Sequence, residues 1–403
     1  MQESHDIDLT LIQSPSETAA PSSSAGDSAL FSLHEERYAL QDLLGQGAMG
    51  EVLAAQDKNL RRAVAYKQLL SPIAVDDTVM KRFVKEAQIT AQLAHPNIIP
   101  IYDLQIDEAG NVAYAMKLIQ GQTLKQRLED ARAAYDRGDV PDDDCSLNRL
   151  LQIFLKVCDA MHYAHTHGVI HRDLKPANIM IGPYQEVYVM DWGIARLMGE
   201  NASERPAHWV KLNEPEPDES GQIIGTPRYL SPQQAAALNQ RLDGRSDQFT
   251  LGLILYELVS LRQAFAGDSH LELVKAILKT EKRPLKPYGG AYSIPQELAA
   301  IIEKATARKA EDRYKDVQAF AQDIRRFLRG EAVLARPDNL VQAMVRWMGH
   351  HRQATLAGMT VIFLSCFGLI ALSLYQRQQA MNAARRHEHQ LQSVIHDLVS
   401  HAQ

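Results

Sequence analysis

The chain has 403 residues, 45% hydrophobic composition and a formal net charge of −6. That apolar content excludes wholesale disorder, and the acidic balance argues against a nucleic-acid partner, which would need a basic face. Cys145, Cys158 and Cys366 stand far apart, fitting a reducing compartment and giving neither a disulfide framework nor a zinc site.

Residues 1–35 open the chain with Ser, Pro, Ala and acidic residues. The first 33 carry five carboxylates and no Lys or Arg. Such a stretch cannot bury enough apolar surface to offset its ordering entropy and is expected to be a disordered tail. No basic segment followed by an apolar run marks a signal peptide there. From Tyr38 the pattern changes. Leu43-Leu44 and Val52-Leu53-Ala54 flank a glycine cluster, and Ala63 to Tyr66 reads as a short strand. Val79, Phe83, Ala87 and Leu93 recur at helical spacing over 79–93, and Val112 to Leu118 reads as a further strand. The polar stretch Glu129 to Ser146 reads as a loop. A long apolar-periodic helix is expected from Leu147 to His167, then a mostly helical region to Arg329 with a buried run from Phe249 to Val259. The Pro/Glu-rich stretch Glu200 to Gly221 reads as a second loop. Strands first and helices after make an α+β arrangement with a small strand-rich lobe and a larger helical one.

Ala354 to Tyr375 is 22 residues without a charge, between Arg352 and Arg377. At about 1.5 Å per residue this spans about 33 Å, matching a hydrocarbon core of about 30 Å, so 354–375 is expected to cross a membrane. A buried core helix is the plainer alternative, opposed by the length of the segment and its flanking arginines. Residues 331–353 form a juxtamembrane segment. Residues 376–403 read as a polar helical tail with Leu391, Val394, Ile395 and Leu398 as a short apolar stripe. His387 and His389 there fit a solvated face better than a metal site.

The chemistry concentrates in three places. Leu44-Gly45-Gln46-Gly47-Ala48-Met49-Gly50-Glu51-Val52 places glycines where backbone N–H groups could approach phosphate oxygens without an intervening Cβ, although an ordinary hairpin has the same look. Lys67 ends a strand 22 residues after Gly45, and Glu86 follows 19 residues later on a helix, where it could hold that lysine against a nucleotide. His171-Arg172-Asp173-Leu174-Lys175-Pro176-Ala177-Asn178 sets polar side chains at fixed offsets in one loop. Asp191-Trp192-Gly193 follows, so that Asn178 and Asp191, 13 residues apart, could converge on an oxygen-seeking cation.

In this order the motifs resemble those of a Hanks-type (eukaryotic-like) serine/threonine protein kinase, in its membrane-anchored bacterial form, over residues 36–330. The resemblance implies a bilobal kinase fold, ATP and Mg²⁺ (with Mn²⁺ as the alternative ion), and protein substrates with Ser or Thr acceptors. It implies Gly45, Gly47 and Gly50 over the phosphates, and Val52 and Ala65 around the adenine. Lys67 would contact the phosphates, paired with Glu86. Met116 would be the gatekeeper, with Lys117, Leu118 and Ile119 as the hinge. Asp173 would accept the substrate proton, Lys175 would steady the transferred phosphate, and Asn178 and Asp191 would hold the metal. Thr226 of Gly225-Thr226-Pro227 would bond to Asp173 and Lys175, and Asp247 would brace the catalytic loop. Two positions depart from the family. Trp192 replaces phenylalanine, and Gln233 replaces the glutamate that pairs with an arginine, here Arg313.

A pseudokinase scaffold is the main rival, opposed by the presence of Lys67, Glu86, Asp173, Asn178 and Asp191. A small-molecule phosphotransferase is opposed by Gly225-Thr226-Pro227. Because ATP is cytoplasmic, the kinase domain is expected inside the cell membrane and residues 376–403 outside. Ser203 and Ser220 are the serines or threonines between Gly193 and Gly225. Of these Ser220 is the expected autophosphorylation site, modified in trans within a homodimer and paired with Arg172.

Overall fold

The structure, a computed structural model, describes residues 37–47, 50–69, 77–107, 111–197, 223–239, 242–290 and 292–400. The expectations for the N-terminal tail, the loop from Glu200 to Gly221, and Ser203 and Ser220 lie outside these residues. The chain divides into two compact units. The first contains residues up to Val84 together with Pro100–Leu118, and the second contains Lys85–Ile99 and everything from Ile119.

The first unit is an antiparallel sheet. Strands β1 (Tyr38–Gln46), β2 (Gly50–Asp57), β3 (Arg62–Leu69), β4 (Ile101–Ile106) and β5 (Val112–Lys117) run in the order β1-β2-β3-β5-β4. Helix α1 (Asp77–Gln92) begins in this unit, and β4 is a strand the sequence reading did not resolve. Opposed pairs point to the same face in an antiparallel ladder, and that face alternates along each strand. Ala55, Val64 and Ala115 are buried on one face against Tyr38, Tyr66 and Tyr102. On the other face the register pairs Val52 with Lys67, Lys67 with Tyr114, and Ala65 with Met116. The wholly buried Asp57 ties the edge strand to the unit by accepting from the Arg37 guanidinium at 2.9 and 3.1 Å. The Arg37 hydrogen bond is the main cause that holds the Asp57 carboxyl below its usual range.

The second unit is mostly helical. It begins at Lys85 in α1 and continues through β6 (Gln122–Thr123), α2 (Leu124–Asp136), α3 (Leu147–Thr166) and β7 (Val169–Ile170). Next come β8 (Ile179–Ile181), β9 (Val187–Val189) and β10 (Arg196–Leu197), then α4 (Pro232–Ala235) and α5 (Gly244–Ser260). The last helices are α6 (His270–Lys279), α7 (Gln296–Ala305), α8 (Val317–Leu328), α9 (Leu340–His350) and α10 (Arg352–Ser400). Phe154 of α3, Phe249 of α5 and Phe320 of α8 are fully buried at the centre of the unit. Helix α5 is buried along almost its whole length, as its apolar run predicts, and takes its N-cap from the Asp243 side chain.

The loop expected from Glu129 to Ser146 is overturned in its first half, because α2 runs to Asp136. Thr123 and Gln126 form a reciprocal capping box, and Leu124, Leu128, Ala131 and Ala134 supply a buried stripe. The charged residues interleaved with that stripe gave the stretch its polar look. Only the remainder is loop, with one short 3₁₀ turn at Asp143–Cys145.

After α8 the chain remains fastened to the helical unit. Asp323 is wholly buried and accepts from the backbone N–H groups of Leu334 (2.5 Å) and Ala335 (2.9 Å) and from the Tyr314 hydroxyl (2.8 Å). Helix α10 is 49 residues long, and among the described residues it holds the one stretch long and apolar enough to cross a membrane, within Gln353–Gln390.

Candidate active site

In the first unit the glycine turn joins β1 to β2. Gly45 pairs with Val52 and Gln46 with Glu51, and the Gly47 N–H donates to the Gly50 carbonyl at 2.8 Å. Gly50 is sterically obligatory. A Cβ there would lie 2.2 Å from the Gln68 carbonyl oxygen, a clash with backbone that no side-chain rotation relieves. Lys67 projects its ammonium over the rings of Phe83 (5.7 Å) and Tyr114 (5.5 Å), which hold the stem while leaving the head polar. Leu44, Val52, Ala65, Met116, Lys117 and Leu118 all belong to this unit. Ile119 and Glu86 belong to the other.

In the second unit the loop His171–Asn178 hangs between β7 and β8, so both its ends are fixed by short sheets. Its backbone is held by Asp247, 1% exposed on α5, which accepts from the N–H of His171 at 2.9 Å and of Arg172 at 3.0 Å. His165 Nε2 lies 2.7 Å from the same carboxylate. Burial opposes that charge, but His165 and the donors from the loop outweigh it, and the Asp247 carboxyl stays below its ordinary pKa. The sequence reading found Asp247 but not His165. Two turns of charge-free spacing on α3 give no hint that this histidine faces the loop.

Arg172 sits at φ 71° and Asp191 at φ 62°, left-handed conformations that cost a non-glycine residue energy and persist only where the surroundings impose them. Asp173 is thereby presented beside Lys175, whose Nζ donates to Asp173 Oδ2 at 2.6 Å and to Thr226 Oγ1 at 2.9 Å. Thr226 donates its own N–H (2.7 Å) and hydroxyl (2.6 Å) to Asp173 Oδ1. The segment that carries Thr226 is held by Gln234, which the sequence reading also missed. Gln234 is 1% exposed, shares a capping box with Ser231, and donates from Nε2 to the Arg172 carbonyl at 2.7 Å. The pattern Ser231-Pro232-Gln233-Gln234 is a helix-start signature that could have found it.

Asn178 donates from Nδ2 to the Asp173 carbonyl at 3.0 Å, which leaves its amide oxygen as the end free to meet a cation. A backbone bond from Met190 N–H to the Asn178 carbonyl (2.9 Å) places Asp191 in the next position along, beside Asn178. Gly193 completes this corner. A Cβ there would lie 3.0 Å from Glu86 Oε2 and 3.5 Å from Asp191 Oδ1. Among the described residues no three His, Cys, Asp or Glu side chains form a metal cage. One carboxylate and one amide oxygen fit instead a hard divalent ion that keeps water and phosphate oxygens in its shell.

Both departures from the family pattern have structural answers. Trp192 is 1% exposed and packs its ring 4.6 Å from that of His171, so the indole fills the aromatic slot. Gln233 Oε1 accepts from Arg313 Nη2 at 3.1 Å, and the same guanidinium donates to the carbonyls of Ala307, Arg245 and Arg308. The pairing survives without its charge. Burial pulls the Arg313 pKa down to about 10, the cost of a buried cation whose nearest side-chain partner is neutral.

A five-stranded sheet bearing a glycine turn and a lysine, with a helical unit bearing the Asp173 loop, is the bilobal protein kinase fold. The chain belongs to the protein kinase domain family, whose model matches residues 38–324. It is similar to the serine/threonine-protein kinase PknD of Protochlamydia amoebophila, 33% identical over 316 residues covering 77% of this chain and 32% of that protein. It is similar also to the serine/threonine-protein kinase PknB of Mycolicibacterium smegmatis, 34% identical over 300 residues covering 74% of this chain and 44% of that protein. The chain thus spans less than half the length of these curated relatives.

Proposed function

We propose that this chain is a serine/threonine protein kinase that transfers the ATP γ-phosphate to protein hydroxyls. The observation that carries the reading is the triangle of Asp173, Lys175 and Thr226, with contacts of 2.6 to 2.9 Å. It is a carboxylate with a neighbouring ammonium, both fastened to the segment over which a protein substrate would lie. The names of the relatives point the same way.

Phosphoryl transfer asks for alignment and charge neutralisation more than for covalent help. In this reading Asp173 accepts a hydrogen bond from the incoming hydroxyl and takes its proton, while Lys175 reaches the transferred phosphoryl group. Lys67, paired with Glu86, orients the α/β-phosphates beneath Gly45, Gly47 and Gly50. Leu44, Gln46, Val52, Ala65, Met116, Lys117, Leu118 and Ile119 enclose the base. Asn178 and Asp191 would hold Mg²⁺, or Mn²⁺ in its place, which when bound neutralises phosphate charge. Purified protein incubated with radiolabelled ATP, Mg²⁺ and a generic protein substrate tests this. Label on serine and threonine supports the reading, and nucleotide binding without transfer would replace it with a pseudokinase.

The same proposal includes an anchor. Residues 354–375 cross the cell membrane, with the kinase domain on the side where ATP is available and 376–403 on the other. Every large apolar side chain described in that stretch is exposed, which an apolar environment would relieve. Neighbouring chains in the membrane could then phosphorylate one another in trans. Protease added to spheroplasts should remove the C-terminal tail and spare the kinase domain. Digestion of the kinase domain would reverse the topology.

A further inference from the structure

Helix α9, just before the anchor, is built inside out for a helix on a soluble domain. At 100° per residue, Val341, Met344, Trp347 and Met348 fall on one side, and Gln342, Arg346 and Gly349 on the other. On the polar side Arg346 meets the protein, while Gln342 and Gly349 stay exposed. Arg346 donates to Asp338 (2.8 and 3.1 Å), to the Gly330 and Glu331 carbonyls (2.8 and 3.2 Å) and to Glu297 of α7 at 3.4 Å. Most of the apolar side is left outward, with Val341 71%, Met344 63% and Trp347 55% exposed and Met348 half-buried. The helix is otherwise well made. Asn339 and Gln342 form a reciprocal capping box at its start. Its end is a break of one residue, His351, after which α10 begins at Arg352.

An exposed apolar face continuous in sequence with an apolar spanning helix has one natural cover. We propose that α9 is an interfacial helix. It lays Val341, Met344 and Trp347 into the headgroup region of the bilayer, on the kinase side, while Arg346 holds its opposite face to the kinase domain. A short amphipathic helix with a tryptophan on its apolar side suits that boundary, where an indole is both apolar and a hydrogen-bond donor. The kinase domain would then ride against the membrane surface instead of swinging on a free tether. The inference rests on the anchoring proposed above.

The test uses the full chain reconstituted into phosphatidylcholine vesicles brominated either near the headgroups or near the chain ends. Trp347→Phe isolates the Trp347 signal from those of the other two tryptophans. The expected result is a quenched component that disappears in Trp347→Phe and is stronger with bromine near the headgroups. The pair Val341→Asp and Met344→Asp should reduce that component by more than half. Both variants should still float with vesicles and phosphorylate a generic substrate in detergent. No quenching from a protein that floats would overturn the interfacial helix and leave the anchor standing. A protein that does not float would overturn the anchor and the inference with it. A Trp347 signal that shifts with protein concentration but ignores bromine would show a second copy as the cover, which also overturns the proposal.

Discussion

Thr226 grips Asp173 twice, donating both its backbone N–H and its hydroxyl to the same carboxylate oxygen, Oδ1, at 2.7 and 2.6 Å. Lys175 holds the other oxygen. The candidate base is therefore oriented by the segment that would seat the substrate, so the two are positioned together.

Thr226→Ala keeps the N–H contact and loses the hydroxyl. A hydrogen bond to a charged group is worth about 1.5–3 kcal/mol, so kcat should fall roughly tenfold to a hundredfold. Thr226→Ser should retain most of the rate. Steady-state kinetics of both variants check this, and an alanine variant with unchanged kcat would mean that the hydroxyl does not orient Asp173.

Asp173→Asn preserves shape and removes both the proton acceptor and the charge. Transfer should fall by about 10²–10⁴-fold with nucleotide affinity largely unchanged. Lys67→Met should also abolish turnover, through lost phosphate positioning. Phosphate transfer measured beside binding of a fluorescent nucleotide separates the two effects. Wild-type turnover in Lys67→Met would remove the nucleotide-site assignment.

Gln233→Glu should stabilise the protein. Arg313 is charged in the fold at every pH below about 10, and its depressed pKa means that this charge costs stability throughout that range. The cost fades only as pH rises above about 10 toward the ordinary guanidinium range, where the unfolded chain holds the proton more tightly. A carboxylate at 233 would restore a charge-assisted bond worth about 1 kcal/mol, raising Tm at neutral pH by about 2 °C. Scanning calorimetry checks it.

Asp57 should make the sheet unit acid-sensitive. Its folded-state pKa lies below the ordinary 3.8, mainly through Arg37. Its stabilisation is therefore complete above the ordinary value and is lost as pH falls through the folded one. Asp57→Asn should lower stability by about 2 kcal/mol at pH 7. Its deficit against the natural protein should shrink below about pH 4. Urea unfolding across that range is the measurement.

Ser220, outside the described residues, should be autophosphorylated. A phosphate there adds about −1.5 to −2 charge and strong acceptors for Arg172. Mass spectrometry after incubation with ATP should find it modified, and Ser220→Ala should turn over more slowly. An unmodified Ser220 in fully active enzyme would discard the idea.

Residue type and spacing single out the candidate positions in the sequence, and the resemblance to the kinase family supplies the roles proposed for them. In the proposed reading Asp173, Asn178 and Asp191 supply oxygens; Gly50 must lack a Cβ, and the unbroken uncharged stretch from Ala354 to Tyr375 is legible at any distance from the rest. What the tertiary structure decided are contacts between segments remote in sequence. Helix α2 looks polar as a string, and becomes a helix with a buried stripe only once Leu124, Leu128 and Ala131 meet the core. His165 and Gln234 carry no motif, yet one lies against Asp247 and the other holds the Arg172 carbonyl. The exposed face of α9 has the same origin. Its amphipathic pattern can be counted in the sequence, but only the bonds of Arg346 to Asp338, Glu297 and the Gly330 and Glu331 carbonyls decide which side turns to the protein. Periodicity specifies that a helix has two faces, and long-range packing assigns each face its neighbour.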